Sequence, residues 1–435
     1  MHHGWLTFLF ALSAWFAGAR AVAQQAEAWL WQPLPDAAST AVGLVWAHGY
    51  DDDPADAVGL ARVLAECRLA RARAAAGVVT SGLLVGDDVA LVFVVVRGDR
   101  VAAAAAFVAA ALDDRAEWRD DDVTSIVARV ALAADDDEFI YPGPVLASLA
   151  RRALATGTPA ARPVSGDARA IAALRPDDVR RWLREPVAVR GAALGHVDDA
   201  LRTALTALPW PAVAWPTRPV RVLAPQGATA QLPAATNGRT DAPYVAAAFA
   251  APAPADRAAF AVACEVANGR ARRAFRSRGQ EAVARAPFVA WWWLRAEPIA
   301  MFYRRGEDPV KLWPGQHAEA DARAEAAATT VDLRAFLVDL VGTPPTAAEV
   351  ATAVEVLDSQ CGLPTTAADD PDGMLAPGWL QNLLLAACHG IDRSGLATVD
   401  PARVTAIAAQ CLDPERALWL VALPEPRTGF GFRRR

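Results

Sequence analysis

The sequence has almost no lysine, a residue on which many nucleotide-dependent enzymes rely. Lys311 is the only lysine among 435 residues, so no phosphate-binding loop of the form G-x-x-x-x-G-K-[ST] exists, and a Schiff-base mechanism has a single candidate. No serine lies in a G-x-S-x-G context, which excludes the common nucleophile elbow. The formal net charge is −6, and the basic residues are interspersed with acidic ones. This distribution disfavours a nucleic-acid partner.

Histidine is the second scarce residue type. Two of the six, His2 and His3, lie at the extreme N-terminus, and the other four are spread along the chain. No two of these four are three, four or five residues apart, so no helix or hairpin can present the local pair of imidazoles that zinc hydrolases generally need. We therefore expect no metal and no other cofactor. A metal site assembled from scattered histidines is the alternative, with His48 and His196 as its first candidates.

Three acidic runs, at residues 51–53, 120–122 and 135–137, are further candidates for metal ligands. Calcium loops need alternating oxygen ligands with a glycine at the turn, as in D-x-D-x-D-G, and none of the runs has that spacing. Negative charge is favourable at the start of a helix. We predict that the runs form solvated loops and helix starts.

Cysteine gives no sign of a metal or redox motif. The five cysteines form no C-x-x-C pair, and Cys388 and His389 are adjacent, which places them on different faces of a helix. We expect most of the cysteines to be small buried residues. They are Cys67, Cys264, Cys361, Cys388 and Cys411.

Residues 1–23 have the composition of an export signal. An apolar run from Trp5 to Ala19 precedes Ala21-Val22-Ala23, which fits the small-x-small cleavage rule. The run is shorter than the ~18 residues of a comfortable membrane span. It predicts a cleaved signal and a periplasmic or extracellular location, with an uncleaved N-terminal anchor as the alternative. The apolar run 89–96 is predicted to be a buried strand.

A stretch rich in proline and tryptophan, residues 208–219, divides the chain nearly in half. Proline disfavours helix and central strand, so this stretch is predicted to be a semi-rigid connector. The expected organisation is a signal peptide followed by two halves, a linker between them and a basic tail. The corresponding ranges are 1–23 for the signal, 24–210 and 221–425 for the halves, 211–220 for the linker and 426–435 for the tail.

The two halves repeat one order of elements. A strand at 42–46 and a helix at 58–76 correspond to a strand at 244–249 and a helix at 257–273. Pro176 and Pro401 each open a helix that leads into a strand, at 187–194 and 417–423, because proline suits the first helical position. Asp400 is a predicted N-cap, and Thr346 with Glu349 a predicted capping box. The pattern predicts an α+β internal repeat, each half a mostly antiparallel sheet with helices packed on one face.

The segment from Gly59 to Glu66, GLARVLAE, resembles the G-L-A-H-x-L-E-H signature of the insulinase and mitochondrial-processing-peptidase (pitrilysin-like) zinc metallopeptidases. The resemblance implies that Arg62 and Glu66 occupy the positions of the two histidine ligands, and Ala65 that of the glutamate base. The later segment DVTSIVARV is similar to the helix that supplies the third ligand, and it places Arg129 there. All four positions that carry the chemistry are therefore changed.

Other segments are similar to the same family in order and spacing, over about residues 36 to 425. In the second half, Arg278 matches a substrate-contacting arginine, while Arg285 replaces its tyrosine partner. The resemblance implies two homologous halves arranged as a clam around an extended peptide. It also implies a partner, either an active chain of the family or a second copy.

The leading hypothesis is therefore an exported, non-catalytic pseudo-peptidase that binds peptides or pairs with an active chain. One alternative is an active metallopeptidase with a relocated metal site. The other is an exported scaffold with no peptide role.

Overall fold

The computed structural model describes residues 28–34, 36–77, 80–115, 117–140, 166–216, 235–237, 242–276, 288–291, 299–306, 318–361 and 393–424, with single positions between 146 and 162 and between 380 and 384. The chain divides into two compact units. The first takes its residues from Met1–Ala128, Ile171–Arg218 and Leu363–Cys388. The second takes them from Arg129–Ala170, Pro219–Gly362 and His389–Arg435.

The first sheet and its helices come mainly from the N-terminal part of the chain. Its strands are β1 (Trp29–Pro33), β2 (Ser39–Trp46), β3 (Ser81–Val85), β4 (Ala90–Arg97) and β5 (Val189–Gly195). The helices of this part are α1 (Leu60–Ala76), α2 (Val101–Leu112), α3 (Asp120–Ile140), α4 (Ala168–Ala172), α5 (Pro176–Leu183) and α6 (Asp199–Thr206).

The second sheet lies in the C-terminal part. Its strands are β6 (Ala235–Asn237), β7 (Tyr244–Ala250), β8 (Phe288–Trp291), β9 (Ile299–Arg305) and β10 (Leu418–Pro424). The helices are α7 (Arg257–Arg276), α8 (Ala318–Gly342), α9 (Ala347–Cys361) and α10 (Pro401–Cys411).

The two sheets share one strand order and one pattern of strand directions. The first runs β1-β5-β2-β4-β3 and the second β6-β10-β7-β9-β8. In each, the first pair is parallel and the other pairs are antiparallel. The predicted α+β class with mostly antiparallel sheets is confirmed. A repeat at the level of sequence stays a prediction, since equal topology does not by itself establish common descent.

Local signals in the sequence start several helices where predicted. Asp400 accepts a hydrogen bond from the backbone N–H of Arg403 at 2.7 Å, and Pro401 occupies the first position of α10. Thr346 and Glu349 form the predicted capping box, with reciprocal bonds of 3.0 and 3.2 Å. These contacts satisfy N–H groups that a helix start otherwise leaves unpaired.

One face of each sheet packs against helices of its own part of the chain. In the first unit, α1, α2 and α6 cover residues such as Val42 and Leu44 of β2, and Phe107 of α2 is fully buried among them. In the second unit, Val245 and Phe249 of β7 lie in a core with α7, α8, α9 and α10. Within the described residues, no helix is both long and apolar enough to cross a membrane.

The opposite face of each sheet is covered by a segment that is distant in sequence. Leu380 and Leu384 pack in the first unit, and a Cβ atom added to Gly43 of β2 would lie 2.8 Å from Leu380. Leu146 and Leu154 pack in the same way on the second sheet. The units therefore exchange segments, which the contiguous halves 24–210 and 221–425 do not take into account.

The connector between the sheets is held against the first of them. Trp210 packs on Trp29 with ring centroids 5.2 Å apart and donates to the carbonyl oxygen of Val189 at 3.3 Å. Trp215 packs with the core on the other face, and the guanidinium of Arg190 lies 4.6 Å from its ring. The connector thus passes from one face of the sheet to the other beside the edge strand β1.

The three cysteines whose side chains are described agree with the predicted small buried residues. Cys67 and Cys264 are buried, Cys411 is half-buried, and all three are free thiols. Burial raises the pKa of Cys264 well above its usual value, so its thiolate is disfavoured.

The loop between β2 and α1 carries the first acidic run, and one of its carboxylates is buried. Asp53 accepts hydrogen bonds from the backbone N–H groups of Gly59 at 2.6 Å and Ala61 at 2.8 Å, at the start of α1. The prediction of a solvated run is wrong for Asp53, which is 3% exposed. It holds for the run at 120–122, which is exposed in the first turn of α3. The side chains of the run at 135–137 lie outside the described residues.

We expect Asp53→Ala to lower the free energy of unfolding by about 2 kcal/mol, because it leaves two buried N–H groups at the start of α1 unpaired. Asp56→Ala in the same loop is the matched control, since Asp56 is exposed. Urea unfolding measures both variants. Equal midpoints for the two variants would contradict the capping role of Asp53.

The ion pairs of Glu349 predict that the free energy of unfolding falls in acid. Its carboxylate accepts hydrogen bonds from Arg270 at 3.1 Å and pairs with Arg273, and these partners, Arg270 foremost, lower its pKa from 4.5 to about 2. A lowered pKa stabilises the folded state above the unfolded pKa, and this contribution is lost as the pH falls through the folded pKa.

Glu349→Gln keeps a side chain that suits the capping box but removes the charge. We expect it to destabilise the protein by about 2 kcal/mol near neutral pH, and the difference from the parent to shrink between pH 4.5 and about 2. The control is Glu355→Gln on the exposed side of α9. A difference that stays constant down to pH 2 would rule out the ion pairs as its cause.

Candidate functional site

The segment that resembles the zinc motif forms the first two turns of α1. Gly59, in the left-handed region at φ 107°, precedes the helix, which follows β2 and the Asp53 loop. Arg62 and Glu66 are both half-buried and lie four residues apart, on one face of α1. The structure thus brings together the two positions that the resemblance assigned to histidine ligands.

Ala65, which the resemblance assigns to the position of the general base, is fully buried. It lies in the stripe Ala65, Leu69, Ala72 and Ala76 that packs on the first sheet. A methyl group here cannot take up or release a proton. A carboxylate at this position would enter an apolar environment at a cost of several kcal/mol, unless neighbouring groups paired with it. The packing of α1 at this position therefore suits an apolar residue.

The donor chemistry at Arg62 and Arg129, two of the three assigned ligand positions, does not fit zinc. Arg62 carries five N–H donors and no lone pair for a metal, and its positive charge repels a cation. Arg129 lies exposed on α3 and has the same limitation. Within the described part of the chain, no group of three or more histidine, cysteine or acidic side chains could hold a metal ion. Arg278, the predicted peptide contact, lies outside the described residues.

A relocated site built on His48 and His196 is incompatible with the first sheet. β2 and β5 pair antiparallel, from Thr40 opposite Gly195 to Trp46 opposite Val189. His196 lies opposite Ser39, just before one end of this ladder, and His48 lies two residues beyond the other end, so about nine residue steps, roughly 30 Å, separate them. Two ligands of one zinc ion lie within about 4 Å of each other.

His48 is buried beside the capping carboxylate. Its Nε2 atom lies 3.5 Å from Oδ1 of Asp53, and its ring meets the edge of Trp182 at 6.0 Å. The burial of Asp53 is a feature that sequence reasoning missed. An aspartate that precedes Pro54 and stands six residues before a glycine and a helix was the available signal. His196 is half-exposed, with Asp198 at 3.8 Å.

This chain is similar to known proteins in its structure. No protein-family model matches the sequence, and no curated protein matches it either. A chain of Complex III2 from Candida albicans, in a structure with Inz-5 bound, superposes with a TM-score of 0.64 at 14% identity, over 91% of this chain and 93% of that one.

Two bacterial structures also superpose on 91% of this chain. The peptidase M16 inactive domain from Pseudomonas fluorescens superposes with a TM-score of 0.58 at 16% identity, over 91% of this chain and 95% of that one. The first half of the periplasmic protease PqqL from Escherichia coli superposes with a TM-score of 0.60 at 13% identity, over 91% and 90%. The fold that the sequence resemblance predicted is therefore confirmed: the chain has the fold of the M16 peptidases and their inactive relatives.

Proposed function

We propose that this protein is a non-catalytic, pitrilysin-like pseudo-peptidase that binds extended peptides or serves as the partner of an active chain. One observation carries the proposal. On α1, which the sequence resemblance matches to the zinc helix, an arginine, a buried alanine and a glutamate stand where two imidazoles and a carboxylate would be needed. Arg62 and Glu66 offer no neutral nitrogen ligand, and Ala65 offers no base at the position where one would be needed.

Similar structures support a non-catalytic role. One of them is described as an inactive M16 domain, and another is a chain of the multi-subunit Complex III2. A third, a mutant of the ferredoxin protease FusC, was solved in complex with Arabidopsis ferredoxin, and it superposes with a TM-score of 0.53 over 91% of this chain and 46% of that one. From these similar structures we propose one property for this chain, a protein or peptide partner.

The first sheet offers a place for peptide contact. β3 (Ser81–Val85) pairs only with β4 within the described residues, so it forms an edge, and all five of its residues are half-buried. An extended peptide can add to such an edge through main-chain hydrogen bonds. Arg278 is proposed as a second contact from its match to the family pattern.

Export through residues 1–23 belongs to the same proposal, and N-terminal sequencing of the mature protein tests it. The proposal also includes pairing with an active chain of the family or with a second copy. A scaffold with no peptide role is the competing function. A peptide assay on the purified protein distinguishes the two.

We expect short unstructured peptides to bind the full chain and to remain intact, because the fold offers a strand edge but no general base at Ala65. Fluorescence anisotropy measures the binding, and mass spectrometry of the recovered peptide measures cleavage. The matched control is the same peptide with alternate backbone nitrogens methylated, which removes N–H donors and should weaken binding at least tenfold.

Two results would contradict this function. Cleavage of the peptide that a chelator abolishes would favour an active metallopeptidase. No binding of either peptide would favour the scaffold, and equal binding of the methylated and unmethylated peptides would contradict main-chain pairing with β3.

A further inference from the structure

Two arginines on α1 are packed against tryptophan rings and take no part in the proposed function. The guanidinium of Arg68 lies 4.6 Å from the centre of the Trp46 ring, and that of Arg71 lies 3.9 Å from the centre of Trp118. The arginines are three residues apart, so their Cβ atoms are about 5–6 Å apart on one face of the helix. Arg68 is only 7% exposed, so a positive charge lies in the interior of the first unit.

Within the described part of the chain, neither guanidinium has a carboxylate bonded to it. Among these residues, the charged or polarisable groups that act on Arg68 are Cys67 and Arg71, and the second of these is repulsive. Arg71 donates from Nη1 to the backbone carbonyl oxygen of Asp113 at 2.5 Å, while its Nη2 atom is buried without a hydrogen-bond partner. The Asp113 carboxylate acts on Arg71 only through its charge.

This arrangement is costly for the protein alone. Buried charges in folded proteins are nearly always paired, because the transfer of an ion out of water costs several kcal/mol. Burial lowers the pKa of Arg68 to about 10, with a smaller contribution from Arg71, so the side chain stays charged at neutral pH. Stacking on tryptophan recovers only part of this cost. A hydrogen-bond donor and a net positive charge remain uncompensated.

We propose that Arg68 and Arg71 form the binding site of a small oxyanion of the phosphate or carboxylate class. Two guanidinium groups present flat forks of N–H donors, which match the oxygens of such anions in pairs. Trp46 and Trp118 hold the planes of the two forks, and the unpartnered Nη2 of Arg71 supplies a donor. The site lies within the first unit and does not depend on the proposed function.

Inorganic phosphate is the first probe, added to the full-length protein at constant ionic strength with chloride as the balancing ion. We expect a saturable rise of roughly 3 °C in Tm, as for a ligand that binds the folded state only. Saturation separates binding from the general stabilisation by excluded salts, which grows without limit. Acetate is titrated in parallel. If acetate reaches half-saturation at a lower concentration than phosphate does, a carboxylate is the preferred anion. If phosphate reaches it at the lower concentration, a phosphate is preferred.

Three variants locate the effect. Arg68→Met should lose the phosphate response and should unfold, without anion, at the same temperature as the parent or a higher one, because it removes an unpaired buried charge. Arg71→Gln should weaken the response at least tenfold and serves if Arg68→Met does not fold. The control is Arg73→Met, since Arg73 is exposed and already donates to Ser81 at 2.5 and 2.8 Å.

Arg73→Met should keep the response of the parent. The proposal is overturned if the parent shows no saturable response to either anion. It is also overturned if Arg71→Gln responds as the parent does, or if Arg73→Met loses the response along with the other variants.

Discussion

Burial of both faces of the two sheets is the constraint on which the rest of the structure depends. Alternate residues of a strand point to opposite faces, and in β2 both sets are buried: Val42 and Leu44 on one side, Ala41 and Val45 on the other. An antiparallel sheet commonly leaves one face to water. Here each sheet needs two covers, and the second cover is a short segment from a distant part of the chain. Gly43 leaves the space that Leu380 occupies.

The same constraint positions α1. β2 is a central strand, so the loop after it is anchored at a buried end, and Asp53 turns back from this loop to cap the helix. α1 then lies on the sheet through Ala65 and Leu69, with Arg62 and Glu66 on its half-buried flank. In the function proposed here α1 corresponds to the zinc helix, and packing and capping hold it in place while other residues stand at the ligand positions. Arg62 and Glu66, at the assigned ligand positions, lie on the flank of α1, whereas Ala65, at the assigned position of the base, lies in the apolar stripe on which the fold depends.

The sequence predicted about half of the elements, those whose signals are local. The helix signals act within one turn, and they come from Pro176, Pro401, Asp400 and the Thr346–Glu349 pair. The continuous apolar run of β4 can be read directly as a buried strand. The exchanged segments could not be predicted. Leu380 and Leu146 are apolar residues, and the sequence around them does not indicate which sheet they pack against.

The candidate site was predictable to the same degree. The likeness of GLARVLAE to a known motif placed Arg62, Ala65 and Glu66 on one helix, and all three lie on α1. The burial of Asp53 and of Arg68 was not foreseen, because charged residues are exposed by default, and only the fold shows which of them lie inside. The separation of His48 from His196 likewise required the register of β2 on β5.

The central claim is that the flank of α1 is a former metal face. Elemental analysis of the purified protein, together with an Arg62→His/Glu66→His variant, tests it most directly. We predict no stoichiometric zinc in the parent. The variant should take up zinc, with an affinity that falls in acid, since it places two imidazoles four residues apart on one face. About one tightly held zinc ion per parent chain, or a folded variant that binds no more zinc than the parent, would contradict the account.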